Sequence, residues 1–101
     1  MQEKYEIGSV GTMTGKHVAH KITSGHYLYR GFFIVCIGYY NPEQRVCWEA
    51  YDSRGYGFAH GYTLKDSKRL VDRVIDEYDT DYTQFTEEQI QKETERIKTN
   101  G

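Results

Sequence analysis

This chain lacks the features that mark membrane-spanning, secreted or disulfide-stabilised proteins. Its 101 residues include two cysteines and one proline, and two thiols are too few for a disulfide scaffold. The one long apolar run, Phe32 to Ile37, is far shorter than the roughly 20 residues that span a bilayer. The polar N-terminal segment also lacks the apolar stretch of a secretory signal. We therefore expect a single-domain cytoplasmic protein with free thiols and no membrane partner.

Catalytic and cofactor-binding signatures are missing as well. His17 and His20 have an H-x-x-H spacing, and Cys36 and Cys47 could add thiols, but neither pair has the spacing of a zinc finger. His60 is the best single candidate for an acid or base, because histidine titrates near neutrality. Asp52 and Glu49 lie on nearby strands as possible partner acids for His60, but Glu49 is predicted on the opposite face of the sheet. The sequence therefore predicts a protein that is not an enzyme and that holds no cofactor or metal ion.

Tyrosine is abundant, and charge is unevenly distributed. Ten residues are tyrosine, whose apolar ring and polar hydroxyl suit either a small core or a contact surface. The net charge is -2, but residues 16–73 hold nine basic and five acidic residues, whereas residues 74–101 hold three basic and eight acidic ones. A mildly basic body therefore carries an acidic tail, which can attract a basic protein partner.

Three antiparallel strands are predicted between Phe32 and Tyr62. A tight turn on Pro42-Glu43 joins the first two strands, because proline is favoured at the first central position of a turn. That turn places Tyr39 opposite Val46. Since side chains alternate along a strand, one face of the sheet is predicted to be apolar and to lie under a helix. The members of this predicted face are Phe33, Val35, Ile37, Tyr39, Val46, Trp48, Ala50 and Phe58.

Two helices are predicted after the strands. Thr63 is a natural N-cap for a first helix that continues to about Tyr78, in which apolar residues recur every three to four positions. Thr86 and Gln89 have the capping-box pattern that begins a second helix, which ends near Lys98. Because the second helix has few aliphatic residues, we expect it to be peripheral.

The predicted fold class is α+β. It consists of a three- to four-stranded antiparallel sheet packed on one amphipathic helix in the order βββα, plus a peripheral C-terminal helix. Residues 1–15 are expected to be a flexible leader. Residues 16–79 are expected to form the βββα domain, and residues 80–101 the acidic linker and the peripheral helix.

The sheet face turned away from the first helix is the leading candidate for function. This face is mixed in polarity, and Tyr and Arg are enriched in the hot spots of protein interfaces. We therefore expect a small non-catalytic module that binds a protein partner, helped by the acidic tail. Its size and lack of motifs would suit an accessory or inhibitory protein of phage or mobile-element origin. The predicted contact residues are Phe32, Ile34, Tyr40, Arg45 and Tyr51.

A DNA-binding module is the alternative. Phosphate recognition needs clustered Lys and Arg. The basic residues that would supply it are Arg45, Arg54, Lys65, Lys68, Arg69 and Arg73. In the order of its elements, the segment 32–78 is similar to the DNA-binding domains at the N-termini of phage-type integrases and to AP2-type domains. In those families the sheet enters the major groove, so the resemblance implies DNA contact through the sheet edge and the basic helix face.

Overall fold

The computed structural model describes residues 17–78 and 81–100. The predicted leader, residues 1–15, lies outside the described residues, as do residues 16, 79, 80 and 101. Within the described ranges the chain forms five strands followed by two helices. These elements are β1 His20–Thr23, β2 His26–Tyr29, β3 Phe32–Tyr40, β4 Arg45–Tyr51, β5 Gly57–Gly61, α1 Leu64–Asp76 and α2 Glu87–Asn100.

All five strands belong to one antiparallel sheet, in the order β1-β2-β3-β4-β5. The α+β class is therefore confirmed, and the predicted βββα order holds for β3, β4, β5 and α1. The sheet is larger than predicted, because β1 and β2 extend it beyond three or four strands. The β2–β3 hairpin uses a two-residue turn in which Arg30 and Gly31 have φ of 52° and 87°, as primed hairpin turns require.

The two helices lie on opposite faces of the sheet. The buried cluster beneath α1 contains Tyr29, Phe32, Ile34, Ala50, Phe58 and Val71. The buried cluster beneath α2 contains Leu28, Phe33, Ile90 and Ile97. Phe32 and Phe33 fall in different clusters because neighbouring side chains on a strand point to opposite faces. The predicted peripheral position of the C-terminal helix is therefore wrong, since α2 covers the sheet face that was expected to be open.

The predicted pairing of β3 with β4 holds on the loop side of a bulge in β3 and fails on the other side of it. Tyr39 pairs with Val46 as predicted, but the register shifts between Cys36 and Gly38, where β3 carries one extra residue. Gly38 has a φ of 85°, a left-handed conformation that glycine adopts without the steric penalty of a side chain. The residue type at position 38 therefore permits the bulge.

The bulge exchanges the two faces of β3. Ile34, rather than the predicted Val35, faces Ala50 across the β3–β4 pair. A shift of one residue moves each side chain to the opposite face, so Phe32 and Ile34 are buried beneath α1. Three residues of the predicted buried face are instead exposed, namely Ile37, Tyr39 and Val46.

The predicted turn on Pro42-Glu43 is present, since the Asn41 carbonyl accepts from the Gln44 backbone N–H at 3.1 Å. It lies within a four-residue loop, because Asn41 and Gln44 do not pair as strand residues. Tyr40 and Arg45 form the last strand pair. The carbonyl of Tyr40 accepts hydrogen bonds from the backbone N–H groups of Glu43 at 3.0 Å and Gln44 at 2.8 Å. Gln44 closes the loop with a φ of 54°.

The predicted helix starts are confirmed by their capping hydrogen bonds. The Thr63 hydroxyl accepts from the backbone N–H of Asp66 at 3.0 Å at the start of α1. At the start of α2, Gln89 N–H donates to the Thr86 hydroxyl at 3.2 Å, and Thr86 N–H donates to the Gln89 side-chain oxygen at 2.8 Å. The second arrangement is the reciprocal pair of a capping box.

Residues 81–86, the described part of the predicted polar linker and the start of the second helix, pack on the sheet. The Tyr82 ring stacks on Phe58, with centroids 4.2 Å apart, and Phe85 N–H donates to the Gly31 carbonyl at 2.8 Å. These contacts fix the path of the chain from α1 to the opposite face of the sheet.

Candidate functional site

Exposed apolar side chains are concentrated at one end of the β3–β4 hairpin. Seven large apolar side chains are exposed in residues 17–78 and 81–100, and five of them lie at this end. They are Ile37 (40% exposed), Tyr39 (62%), Tyr40 (42%), Val46 (48%) and Tyr62 (40%). We call residues 37–47 together with 60–62 the hairpin end. The other two, Tyr56 and Tyr78, lie elsewhere, in the β4–β5 turn and after α1.

The hairpin end is exposed because β3 and β4 extend past their neighbouring strands. The pairing of β2 with β3 ends at Val35, and the pairing of β5 with β4 ends at Trp48. The helices α1 and α2 pack on opposite faces of the region where the strands are paired. Their buried clusters contain side chains from that region. The end of the hairpin therefore carries aromatic and aliphatic side chains that lie outside both buried clusters of the described residues.

The hairpin end presents side chains on two sides. The directly opposed Tyr39 and Val46 share one side. Tyr40 and Arg45 are the next pair and point to the other side. There the Arg45 guanidinium carbon lies 3.9 Å from the centroid of the Tyr62 ring, a cation–π contact that holds both side chains in place.

A cluster of potential metal ligands lies on the Tyr40 side of the hairpin end. Glu43 comes from the loop, Cys47 from β4 and His60 from β5, and their ligand atoms all lie within 4.8 Å of one another. His60 Nε2 is 3.6 Å from a Glu43 carboxylate oxygen. Cys47 is fully buried, and burial followed by the nearby Glu43 charge raises the pKa of its thiol.

His60 reaches this cluster through a second bulge, in β5. A regular β5 paired from Ala50 and Phe58 would place His60 beside Trp48, but Gly61 is the residue that pairs with Trp48. The register of β5 shifts at Ala59, whose φ is 57°. The His60 ring consequently makes an edge contact with Tyr40, with centroids 5.7 Å apart. No local sequence signal marks this bulge, so the Glu43–Cys47–His60 set was not predicted.

The predicted protein-contact residues are divided between the core and the hairpin end. Phe32 and Ile34 are buried beneath α1 with 1% and 0% exposure, so they form no open surface. Tyr51 is half-buried beneath α2, and its hydroxyl donates to Glu93. Tyr40 and Arg45 are exposed at the hairpin end. The bulge in β3 decides that Phe32 and Ile34 lie beneath α1 rather than α2, and their burial follows because this part of β3 is covered on both faces.

The predicted nucleic-acid residues do not converge on one surface. Arg45 is the first residue of β4 and Arg54 follows the other end of that strand, which is about 20 Å long. Arg54 is paired with the buried Asp52 at 2.8 Å, and Arg69 is paired with Asp66 at 3.0 Å. The remaining basic residues on α1 are Lys65, Lys68 and Arg73. The sheet packs against one helix on each face, which differs from the single-helix βββα order on which the resemblance to integrase-type and AP2-type domains rests.

A polar chain beneath α2 connects three elements. His26 Nε2 is 2.8 Å from the Tyr51 hydroxyl, which donates to the Glu93 carboxylate at 2.6 Å. Burial and the bond to Glu93 raise the pKa of Tyr51, and burial lowers the pKa of His26. A phenol that stays protonated and an imidazole that stays neutral suit a structural link between the sheet and α2 better than proton transfer.

The two thiols lie on different faces of the sheet. Cys36 pairs with Trp48, and Cys47 is the next residue on β4, so Cys47 points away from Cys36. Both cysteines are free. The conceivable metal set of His17, His20 and the two cysteines is therefore divided by the sheet.

Comparison with protein-family models, with curated proteins and with solved structures finds no match for this chain. Among the described residues, no helix has the length and apolar character needed to cross a membrane.

Proposed function

We propose that this protein is a small non-catalytic module that binds a protein partner through the hairpin end. The observation that carries the proposal is the concentration of exposed Ile, Val and Tyr side chains there, while both sheet faces are covered by helices. An apolar patch bordered by polar groups is typical of protein-interaction surfaces. The proposed contact surface therefore lies at the end of the β3–β4 hairpin rather than across the sheet face turned away from the first helix.

The side chains of the hairpin end have the composition of an interface core. Tyr39, Tyr40 and Tyr62 offer large rings with few rotatable bonds, and Arg45 is held over Tyr62. Tyr and Arg are among the residues that dominate binding energy at protein interfaces. The proposed partner presents an apolar patch to Tyr39 and Val46, with an acidic group at its rim for Arg45.

The acidic charge of the C-terminal segment adds to this proposal. Glu88 and Glu95 remain exposed on α2 and can raise the association rate with a partner that carries basic groups. Because α2 is part of the core, the charge is tested by Glu88→Lys/Glu95→Lys rather than by deletion. We expect this variant to slow association, more so at low salt. An unchanged association rate would exclude the acidic helix from binding.

Accessory and inhibitory proteins of phages or mobile elements fit the proposal. Such proteins act by occupying a surface of another protein and need no catalytic group of their own. The hairpin end supplies a compact surface for this purpose on a chain of 101 residues.

The experiment is a comparison of exposed-surface variants in capture and direct binding. The tagged full chain, the variant Tyr39→Ser/Val46→Ser and the control Tyr78→Ser are used to capture proteins from the source cell. Tyr78 is a matched control because it is 87% exposed and lies after α1. The captured protein is then produced pure, and its affinity for each variant is measured by calorimetry.

We expect the control to bind like the parent chain and the hairpin-end variant to bind at least about 30-fold more weakly, as hot-spot losses of 2 kcal/mol or more imply. Equal affinity of all three proteins would contradict the proposal. Self-association abolished by the hairpin-end variant would identify a second copy as the occupant instead. Tight binding of duplex DNA that weakens steeply between about 50 and 200 mM salt would favour the DNA-binding alternative.

A further inference from the structure

We propose that Glu43, Cys47 and His60 form a zinc site that joins the β3–β4 loop to β5. The inference is independent of the proposed function, because the ion can bind whether or not the hairpin end contacts a protein. The three ligands lie on three different segments of the chain, the loop, β4 and β5. A bound ion would therefore cross-link the β3–β4 loop to β5, the strand at the edge of the sheet.

The donor atoms match the preference of zinc. Thiolate sulfur, imidazole nitrogen and carboxylate oxygen are the three donor types that Zn²⁺ takes in proteins. Magnesium and calcium prefer oxygen ligands, so a sulfur and a nitrogen donor select against them. Thiolate, carboxylate and neutral imidazole together carry two negative charges. These balance the charge of the zinc ion, so the partly buried site would have no net charge.

The spacing of the donors is close to what a tetrahedral ion needs. Zinc–ligand bonds of about 2.0–2.3 Å place two ligand atoms of a tetrahedral site about 3.3–3.8 Å apart. The separation of His60 Nε2 from the Glu43 oxygen is 3.6 Å, and all three donors already lie within 4.8 Å of one another. Small side-chain rotations, with Glu43 moving on its exposed loop, would complete the geometry.

His60 supplies a second observation that points to a ligand. Its Nε2 atom is buried, and within the described part of the chain no hydrogen-bond partner reaches it. Buried side-chain nitrogen atoms nearly always have a partner. The Glu43 carboxylate that faces this nitrogen is too distant for a hydrogen bond, and an ion between the two would satisfy both groups.

The groups around the cluster orient the ligands. The Glu43 carboxylate is close enough to the Tyr62 hydroxyl to raise the pKa of that hydroxyl, so Tyr62 is placed where second-sphere groups orient metal-binding carboxylates. The Cys47 thiol donates to the Arg45 carbonyl at 3.5 Å. On binding, the thiol proton passes to solvent, the zinc–sulfur bond forms and Arg45 loses this weak hydrogen bond. Water completes the four ligands on the exposed side of Glu43.

The test is zinc binding by the reduced, chelator-treated full chain. Stoichiometry is measured by native mass spectrometry, affinity by competition with a chelating dye, and the donor set by Co²⁺, whose thiolate complexes absorb in the near ultraviolet. The variants are Cys47→Ser, His60→Gln and Glu43→Gln. The matched control is Cys36→Ser, which removes the other free thiol on the opposite face of the sheet.

We expect one zinc ion per chain and a thiolate–cobalt band in both the parent protein and Cys36→Ser. Each ligand variant should lose more than about 100-fold in affinity, since even second-sphere changes typically cost about 10–100-fold. Tyr62→Phe should fall within that smaller range. Zinc should also raise the melting temperature of the parent protein but not that of His60→Gln.

Two outcomes would overturn the site. One is the absence of stoichiometric zinc from the parent protein, and the other is zinc binding that survives in folded His60→Gln or disappears in Cys36→Ser. Cys47 is fully buried, so Cys47→Ser can fail to fold. His60→Gln and Glu43→Gln, at half-exposed and exposed positions, decide the question in that case.

Discussion

The Tyr51 hydroxyl on β4 donates a 2.6 Å hydrogen bond to the carboxylate of Glu93 on α2. The same hydroxyl lies 2.8 Å from His26 Nε2 on β2, and Arg96 holds Glu93 from the following turn of the helix. The C-terminal helix is thus attached to the sheet by a polar chain as well as by its apolar contacts. This attachment closes the sheet face and leaves the hairpin end as the exposed surface.

Removing the Tyr51 hydroxyl tests this attachment. Tyr51→Phe keeps the ring that stacks on Phe33 but leaves Glu93 and His26 without their shared partner. Hydrogen bonds to charged groups contribute about 1.5–3 kcal/mol, and partial exposure places the expected loss of unfolding free energy near the lower value. Urea denaturation measures the loss, with Tyr39→Phe as control, for which the expected change is within about 0.5 kcal/mol. Equal effects of the two variants would refute the structural role of the chain.

Acid pH should weaken the protein through His26. Burial is the main cause that lowers the pKa of His26. The Glu93 charge opposes this shift, and the Arg96 charge adds to it. As the pH falls below about 6.5, His26 takes up a proton more readily in the unfolded chain than in the folded chain. The contribution of neutral His26 to the free energy of unfolding is therefore present above that pH and is lost as the pH falls. We expect the free energy of unfolding to decrease from pH 7 to pH 5, with a smaller decrease in His26→Gln. An equal decrease in both proteins would show that another group is responsible.

Loss of Asp52 should destabilise the turn between β4 and β5. Its fully buried carboxylate accepts from the backbone N–H groups of Arg54, Tyr56 and Thr83 at 2.9–3.0 Å. Burial raises the pKa of Asp52, but these bonds and the Arg54 side chain outweigh it and lower the pKa.

Asp52→Ala leaves those three N–H groups without an acceptor, and one unsatisfied buried group costs about 1–3 kcal/mol. We expect calorimetry to show a loss of at least about 2 kcal/mol. The control Asp76→Ala removes an exposed carboxylate 3.8 Å from Arg30 and should change stability by less than about 1 kcal/mol. A loss no larger than the control's would contradict the central role of Asp52 in this turn.

The bulge in β3 depends on Gly38. A side chain at position 38 would meet no atom within 4 Å, but the φ of 85° disfavours L-residues. Gly38→Ala should therefore destabilise the protein by about 1–2 kcal/mol, and Gly38→Asn by less, because asparagine tolerates this conformation better. Denaturant unfolding of both variants checks the order. Equal stability of Gly38→Ala and the parent protein would indicate a different register.

Local chemistry in the sequence predicted much of the fold but not the face assignment. Thr63 and Thr86 capped helices as expected, because caps depend on a few neighbouring residues. Tyr39 paired with Val46 as expected, because the nearby loop fixes that end of the hairpin. Gly38 is the one local signal of the bulge, because an isolated glycine within a strand often marks one, but the register was predicted as if the strand were regular.

The same bulge explains how far the candidate site could be predicted. Tyr40 and Arg45 lie between the bulge and the loop, so their exposure was predicted correctly. Phe32 and Ile34 lie beyond the bulge, and their assignment to the open face was reversed. The approach of His60 to Cys47 depends on a further bulge at Ala59, which no local pattern indicates.

Site-specific photo-crosslinking in the source cell tests the central claim most directly. A photoreactive phenylalanine analogue replaces Tyr39 in one version of the protein and Tyr78 in another, so the hairpin end is compared with a still more exposed position after α1. The account predicts one discrete adduct with a cellular protein from position 39 and none from position 78. No adduct from position 39, or the same adducts from both positions, would contradict it.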